Sequence, residues 1–222
     1  MASMRSTPLA LAGLTGLALA IAGCRIEKTP AVDPTQSATS VFINDGSFDP
    51  AAMVETDWSG KILPFIRSKA APYDAVAEAV KASPDEAGAR HGFRENQAGA
   101  PWTYAAEVDG TVTAANTASR AATVDVKTQG GRTVTLQLGP VVRGTSIRDM
   151  LSLHPFGSFK NQVDYAQYGK ALNAKANATA LSAAPRQDLV GRHVTALGVF
   201  SAAPGDAPPL MTPVELTLGP KP

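Results

Sequence analysis

Between residues 101 and 140 apolar side chains recur at every second position, whereas the stretches on either side carry them at helical spacing. Ala106, Val108, Gly110, Val112 and Ala114 share one parity, with Glu107, Asp109, Thr111 and Thr113 on the other, which is the signature of a strand with one buried face. Val124 and Val126 alternate with Asp125 and Lys127, and Val134, Leu136 and Leu138 alternate with Thr133, Thr135 and Gln137. Between these two runs Gln129-Gly130-Gly131 predicts a tight hairpin, the two glycines supplying positive φ angles. The three segments form a meander that Gly139-Pro140 ends, because proline brings no ladder donor.

Upstream, Asp49-Pro50 pairs a capping carboxylate with proline at the first helical position, and Met53, Val54 and Trp58 follow near helical spacing. This helix is expected to reach about Lys61 and to bend or stop at Pro64. A second starts at Pro72 with Tyr73, Val76, Ala77 and Val80 on one face, and a third at Ser83-Pro84-Asp85-Glu86, where Ser and Glu form a capping box. Trp58 and Phe65 read as apolar anchors of these helices. Downstream, Gly144-Thr145 offers a cap to a short helix with Ile147, Met150 and Leu151. Ser158 offers one to a longer helix striped by Val163, Ala166, Tyr168, Leu172 and Ala176. Two last strands run from Val194 to Phe200 and from Leu210 to Leu218. In the second of these Leu210, Val214, Leu216 and Leu218 share a face, and Pro213 marks an edge or a bulge.

Three strands, a helical connection and two strands is the order of a five-stranded OB barrel, and Gly110 and Gly198 stand where a small barrel bends sharply. The expected fold class is therefore α+β, with an OB-like barrel domain over residues 101–222 preceded by a small helical region over residues 47–100.

The first residues follow a different pattern. Arg5 precedes an apolar run from Leu9 to Ile21, too short to span a bilayer as a helix, which ends in Ile21-Ala22-Gly23-Cys24. A large aliphatic residue, small residues and then cysteine resembles the bacterial lipobox, in which the thiol takes a diacylglycerol, the peptide is cut before it, and the new amine is acylated, as with palmitate. Residues 1–23 are read as a signal peptide, and residues 24–46 as the lipidated Cys24 and a flexible tether rich in Thr, Pro, Ser and Ala. An ordinary cleavable signal with a chance cysteine is the alternative. The lipobox reading places the chain on the periplasmic side of a bacterial membrane. Inner and outer membranes stay open, since Arg25 follows the cysteine in place of an inner-membrane aspartate signal.

Cys24 is the only cysteine, so disulfides and cysteine–zinc sites are excluded. With 20 Lys and Arg against 19 Asp and Glu, loss of Arg5 brings the charge to balance, and neither a nucleic acid nor an anionic lipid surface is an expected partner. Attachment must come from the acyl chains, at roughly 0.8 kcal/mol per buried methylene.

Candidate chemistry is sparse. Arg143 and Arg148 flank one predicted helix start and Asn161 and Gln162 lie near the start of the next helix, so the four are candidate binding residues at one end of the barrel. Guanidinium and amide groups bind carboxylates, phosphates or vicinal hydroxyls through paired hydrogen bonds. The competing reading is that they satisfy loop carbonyls and helix ends. His91, His154 and His193 lack metal-ligand spacing, and Glu107 and Asp109 are a superficial carboxylate pair on one strand face. No phosphate loop, dinucleotide fingerprint or nucleophile elbow is present, so no cofactor and no catalytic motif are expected.

The stretch Gly139-Pro140-Val141-Val142-Arg143-Gly144-Thr145-Ser146-Ile147-Arg148-Asp149 is followed by Phe156, Phe159-Lys160-Asn161-Gln162 and Leu172-Asn173. With Gly191-Arg192, Gly198-Val199-Phe200 and Thr212-Pro213-Val214, it resembles a family of predicted bacterial periplasmic lipoproteins of unknown function. Members of such a family are often encoded beside sugar ABC transporters of the ribose-uptake type. The resemblance, with the anchor and the balanced charge, leads to the expectation of a non-enzymatic accessory or binding module that touches an envelope protein or a sugar-transporter component. The Trp58 to Phe65 stripe or the Val141 to Thr145 loop is the expected contact. The alternative is an envelope hydrolase acting on a glycan or peptide near Arg143, His154 and Asp164.

Overall fold

A computed structural model of the chain describes residues 48–96, 99–205 and 207–220. The signal, Cys24 and the tether lie outside the described residues. Asp49 caps α1 (Pro50–Asp57), its Oδ1 accepting the Ala52 N–H at 3.0 Å. The helix does not end near Lys61. A π turn, Trp58–Ile62, in which the Leu63 N–H reaches back to the Trp58 carbonyl, carries the chain into α2 (Leu63–Lys69). The extra residue in that turn makes room for the Pro64 ring, which a regular helix would press against the carbonyl four residues back.

Next come α3 (Tyr73–Ala82) and α4 (Pro84–His91). The capping box expected at Ser83 does not form: Ser83 also ends α3, and its N–H is bonded to the Ala79 carbonyl at 2.9 Å. Glu86 is left without that donor and sits 3.8 Å from Arg90. A strand of two residues, β1 (Gly92–Phe93), is too short to show any alternation in the sequence.

The barrel strands are β2 (Thr103–Asn116), β3 (Ala121–Thr128), β4 (Thr133–Pro140), β5 (His193–Ser201) and β6 (Leu210–Leu218). They pair in the order β2-β3-β4-β6-β5, with β5 closing back on β2 and β1 added beside β2. Only the β4–β6 contact is parallel. This is a closed five-stranded mixed barrel with helices, as expected for an OB-like fold. Within the barrel, strand β2 pairs with β5 up to Thr111 and with β3 from Gly110 onward. A Cβ on Gly110 would lie 2.4 Å from the Lys127 carbonyl oxygen, so the strands can approach this closely only at glycine.

At the hairpin only Gly131 takes a positive φ, 84°. Gly130 instead serves a close approach: its N–H donates to Asp74 Oδ2 at 3.2 Å, and a Cβ there would meet the Asp74 carboxyl carbon at 2.6 Å. Near Pro213 the register jumps, Leu197 opposing Glu215 and Gly198 opposing Pro213. The bulge turns Val214 away from Leu216 and Leu218, which corrects the expectation that these residues share a face.

Two apolar clusters result. One fills the barrel with Val108, Val126, Val134, Leu136, Val194 and Met211, closed by Tyr73, Val76 and Ala87 of α3 and α4. The other lies outside the barrel, where Val54, Trp58, Ile62 and Ile66 meet Ile147, Met150, Tyr168 and Leu172 across Ala105, Val199 and Val214. Ile147 and Met150 belong to α5 (Ser146–Met150) and Tyr168 and Leu172 to α6 (Gln162–Ala176), which a π turn, Asn177–Leu181, extends. Ser158 does not cap α6, because it belongs to a separate 3-10 turn, Phe156–Ser158. Among the described residues no helix is long and apolar enough to cross a membrane.

Candidate functional site

A cleft of about 460 Å³ opens where the loop after β1, helix α5, the Phe156 turn and the first turn of α6 meet. It is lined by Glu95, Ala100, Pro101, Arg148, Asp149, Phe156, Gln162 and Tyr165. Arg148 is held in place on two sides. Its Nε and Nη2 donate to Asp149 Oδ1 at 2.9 and 2.7 Å, and its guanidinium carbon lies 4.0 Å from the Tyr165 ring centroid. Asp149 is fixed in turn by the Thr145 hydroxyl, which donates to its Oδ2 at 2.6 Å. Arg148 packs close to α6 one turn beyond Tyr165, where a Cβ on Gly169 would stand 3.4 Å from Arg148 Cδ, in ordinary van der Waals contact.

The opposite wall is organised by Glu95. Its Oε1 accepts the Phe156 N–H at 3.1 Å and the Tyr165 hydroxyl at 3.2 Å, tying the 3-10 turn to α6. The Phe156 and Tyr165 rings meet edge to face, with centroids 5.3 Å apart. Burial, reinforced by the Glu95 charge, pushes the Tyr165 hydroxyl up to about 12 against the opposing pull of Arg148, so it stays a donor at neutral pH. Behind the cleft an aromatic cluster branches at Phe159, which meets Tyr165, Phe48 and Tyr168, and Tyr168 in turn meets His154.

The four candidate binding residues separate here. Arg148 and Gln162 line the cleft. Asn161 is instead the cap of α6, its Oδ1 accepting the N–H groups of Val163 and Asp164 at 2.8 and 2.9 Å. Arg143 is exposed and is not among the lining residues; its backbone N–H and carbonyl are both bonded to the Gln137 side chain, at 2.7 and 3.0 Å. The loop carbonyls and helix ends therefore account for Asn161 and for the backbone of Arg143, but not for Arg148. Sequence reasoning does not single out Glu95, Asp149, Phe156 and Tyr165 as site residues: Asp149 and Phe156 stand in the stretch that carries the family resemblance but with no role attached, and no spacing rule ties Glu95 or Tyr165 to Arg148.

The residues grouped for the hydrolase alternative are held in different hydrogen-bond sets. His154 Nε2 lies 2.8 Å from Asp57 Oδ2, Asp164 is bonded to Asn161, and Arg143 to Gln137. Asp57, only 5% exposed, also receives Lys61 at 2.7 Å, and the hydrogen bonds from His154 and Lys61 hold its carboxyl below the usual range despite burial. His193 pairs with Asp109 at 2.9 Å on the surface, and His91 Nδ1 lies 3.0 Å from the Lys69 carbonyl. Among the described residues no three His, Cys, Asp or Glu side chains are grouped to hold a metal ion. Trp58 is buried at 5% exposure, so its stripe is core and the Val141 to Thr145 loop is the more accessible of the two expected contact regions.

The strand order, the parallel β4–β6 closure and the helical connection together define an OB-fold protein. Among solved structures the chain is similar to an OB-fold protein from Thermotoga maritima, with a TM-score of 0.59 and 16% identity over 77% of this chain and 98% of that one. The chain belongs to the family described as predicted periplasmic lipoprotein (DUF2291), which matches residues 14–217. No curated protein matches it.

Proposed function

We propose that this protein is a non-enzymatic accessory module, tethered through acylated Cys24 to the periplasmic side of a bacterial membrane, that supports sugar uptake by binding a transport component or solute at the Arg148 cleft. The observation that carries this reading is how the polar groups of the cleft are engaged. Arg148 is held by Asp149, Asp149 by Thr145, and Glu95 by a backbone amide and a phenol, an arrangement that fixes a binding surface. The three imidazoles bond carboxylates or a backbone carbonyl, whereas covalent hydrolysis would set one of them against a hydroxyl nucleophile. Acylation at Cys24 would supply membrane attachment to a chain whose net charge supplies none.

Uptake of radiolabelled pentoses and hexoses by a deletion strain tests the proposal, with complementation by wild type, Cys24→Ser and Arg148→Ala. A defect in at least one sugar is expected, rescued by wild type and not by either variant. Normal uptake of every sugar would overturn the accessory role. Incorporation of labelled palmitate into wild type but not Cys24→Ser is the expected companion result, and membrane fractionation reads which membrane holds the protein.

A further inference from the structure

We infer that the cleft is built to receive an organic cation, an ammonium or guanidinium group, with Glu95 as its counter-charge; this rests on the cleft being the binding site. Its lining holds two carboxylates and one guanidinium. Asp149 matches Arg148, with both donors converging on one oxygen. Glu95 is matched by no cation among the described residues: its Oε1 accepts two neutral donors, and its Oε2 accepts no hydrogen bond there. The neighbouring Arg94 is turned elsewhere, 3.1 Å from Asp85 and stacked 4.5 Å from the Trp102 ring. Among the described residues the cleft lining thus carries one negative charge in excess, which argues against the carboxylate or phosphate that an arginine–amide cluster suggests from sequence alone.

The walls fit the same ligand. Phe156 and Tyr165 line the cleft with aromatic carbon, whose negative quadrupole attracts cations; one such contact already stands there, with Arg148 resting on Tyr165 at 4.0 Å, and this leaves Phe156 as the ring for a second. Glu95 is positioned by donors to a single oxygen, so its second oxygen is preorganised for a charge-assisted hydrogen bond. A volume of about 460 Å³ suits a small amine or the head of one lysine or arginine side chain. The shared chemistry is a cationic nitrogen against a carboxylate and aromatic carbon, whether it arrives on a free solute or on a protein partner.

Calorimetric titration of the detergent-solubilised lipoprotein tests this at fixed ionic strength. The probes are n-butylammonium and tetramethylammonium chloride, with n-butanol and neopentyl alcohol as neutral counterparts. Saturable binding of the cations and none of the alcohols is expected. Glu95→Gln keeps the acceptor to Phe156 and Tyr165 but removes the charge, and should weaken cation binding about tenfold or more at an unchanged melting midpoint. Phe156→Leu should also weaken it. Equal binding of cations and alcohols by the wild type overturns the inference whatever the variants do, as does undiminished binding by Glu95→Gln. A short amidated peptide carrying one lysine or arginine separates the sources: tighter binding than butylammonium marks a partner's side chain, and weaker binding marks a free amine. Cation binding with normal sugar uptake on deletion would sink the transport role alone, and a transport defect without cation binding would sink only this inference.

Discussion

The inside of the barrel and the helix-covered flank outside it are packed on different principles. Val108, Val126, Val134 and Leu136 fill the interior with short aliphatic side chains, and Tyr73, Tyr104 and Phe200 close on one another at 5.6 and 5.7 Å. The flank uses similar aliphatic anchors but encloses a carboxylate, Asp57, and a run of aromatic rings that ends in the cleft. The interior is generic volume that any well-packed apolar set could fill. In the flank, hydrogen bonds to Asp57, Asp149 and Glu95 fix positions as well as stabilising them. Fold and site are thus assigned to opposite faces of the same strands, Ala105 and Val199 facing the flank while Tyr104, Ala106 and Phe200 face the interior.

Emptying the interior should break the comparison most severely. Leu136→Ala removes a side chain with no exposed surface and is expected to cost about 2–5 kcal/mol, read as a lower midpoint in urea unfolding. Binding at the cleft by the fraction that remains folded should be unchanged. Overfilling gives a smaller effect: Gly110→Ala places a Cβ 2.4 Å from a backbone oxygen and should cost roughly 1–3 kcal/mol by the same measurement, because neither strand can move without loosening the β2–β3 or β2–β5 ladder.

The interior was legible in the sequence because a period of two survives any detail of packing. Val124, Val126, Val134, Leu136 and Leu138 all point inward as their parity requires. The helix starts at Asp49, Pro72 and Pro84 were legible for the same local reason. Legibility ended where one residue served two elements or tertiary packing overrode a local signal: Ser83 shared by α3 and α4, Pro64 absorbed by a π turn, Val214 turned out by a bulge. The cleft was half legible. Arg148 and Gln162 lie near helix starts that sequence can find, but Glu95 stands more than 50 residues before them in a loop with no pattern of its own.

A milder test acts on the flank's buried charge. The Asp57 carboxyl titrates below 3.8 in the folded chain because His154 and Lys61 donate to it. A carboxyl whose folded pKa is depressed contributes stability above its unfolded value, and the contribution is lost as pH falls through the folded one. Asp57→Asn should therefore cost about 1–2 kcal/mol at neutral pH, a figure held down by the solvent around Lys61, which is 58% exposed. The gap from wild type should close as pH drops below about 4, measured by urea midpoints across pH. A gap that persisted unchanged at pH 3 would mean that Asp57 acts by shape and not by charge.

The smallest expected effect sharpens the border between the flank's structural and ligand-facing residues. Asn161 lies beside Gln162, yet its oxygen is taken by two backbone N–H groups of α6. Asn161→Ala should lower stability by about 1 kcal/mol in thermal unfolding, the usual cost of a lost cap, and Asn161→Asp should recover it, since aspartate caps as well and adds favourable charge at the helix start. Neither change should alter butylammonium binding beyond what the fraction folded explains, whereas Glu95→Gln should alter binding and leave stability nearly untouched. If Asn161→Ala instead abolished binding at full stability, the cap and the cleft would be one device, and the division between residues that build the flank and residues that face its ligand would fail at this helix start.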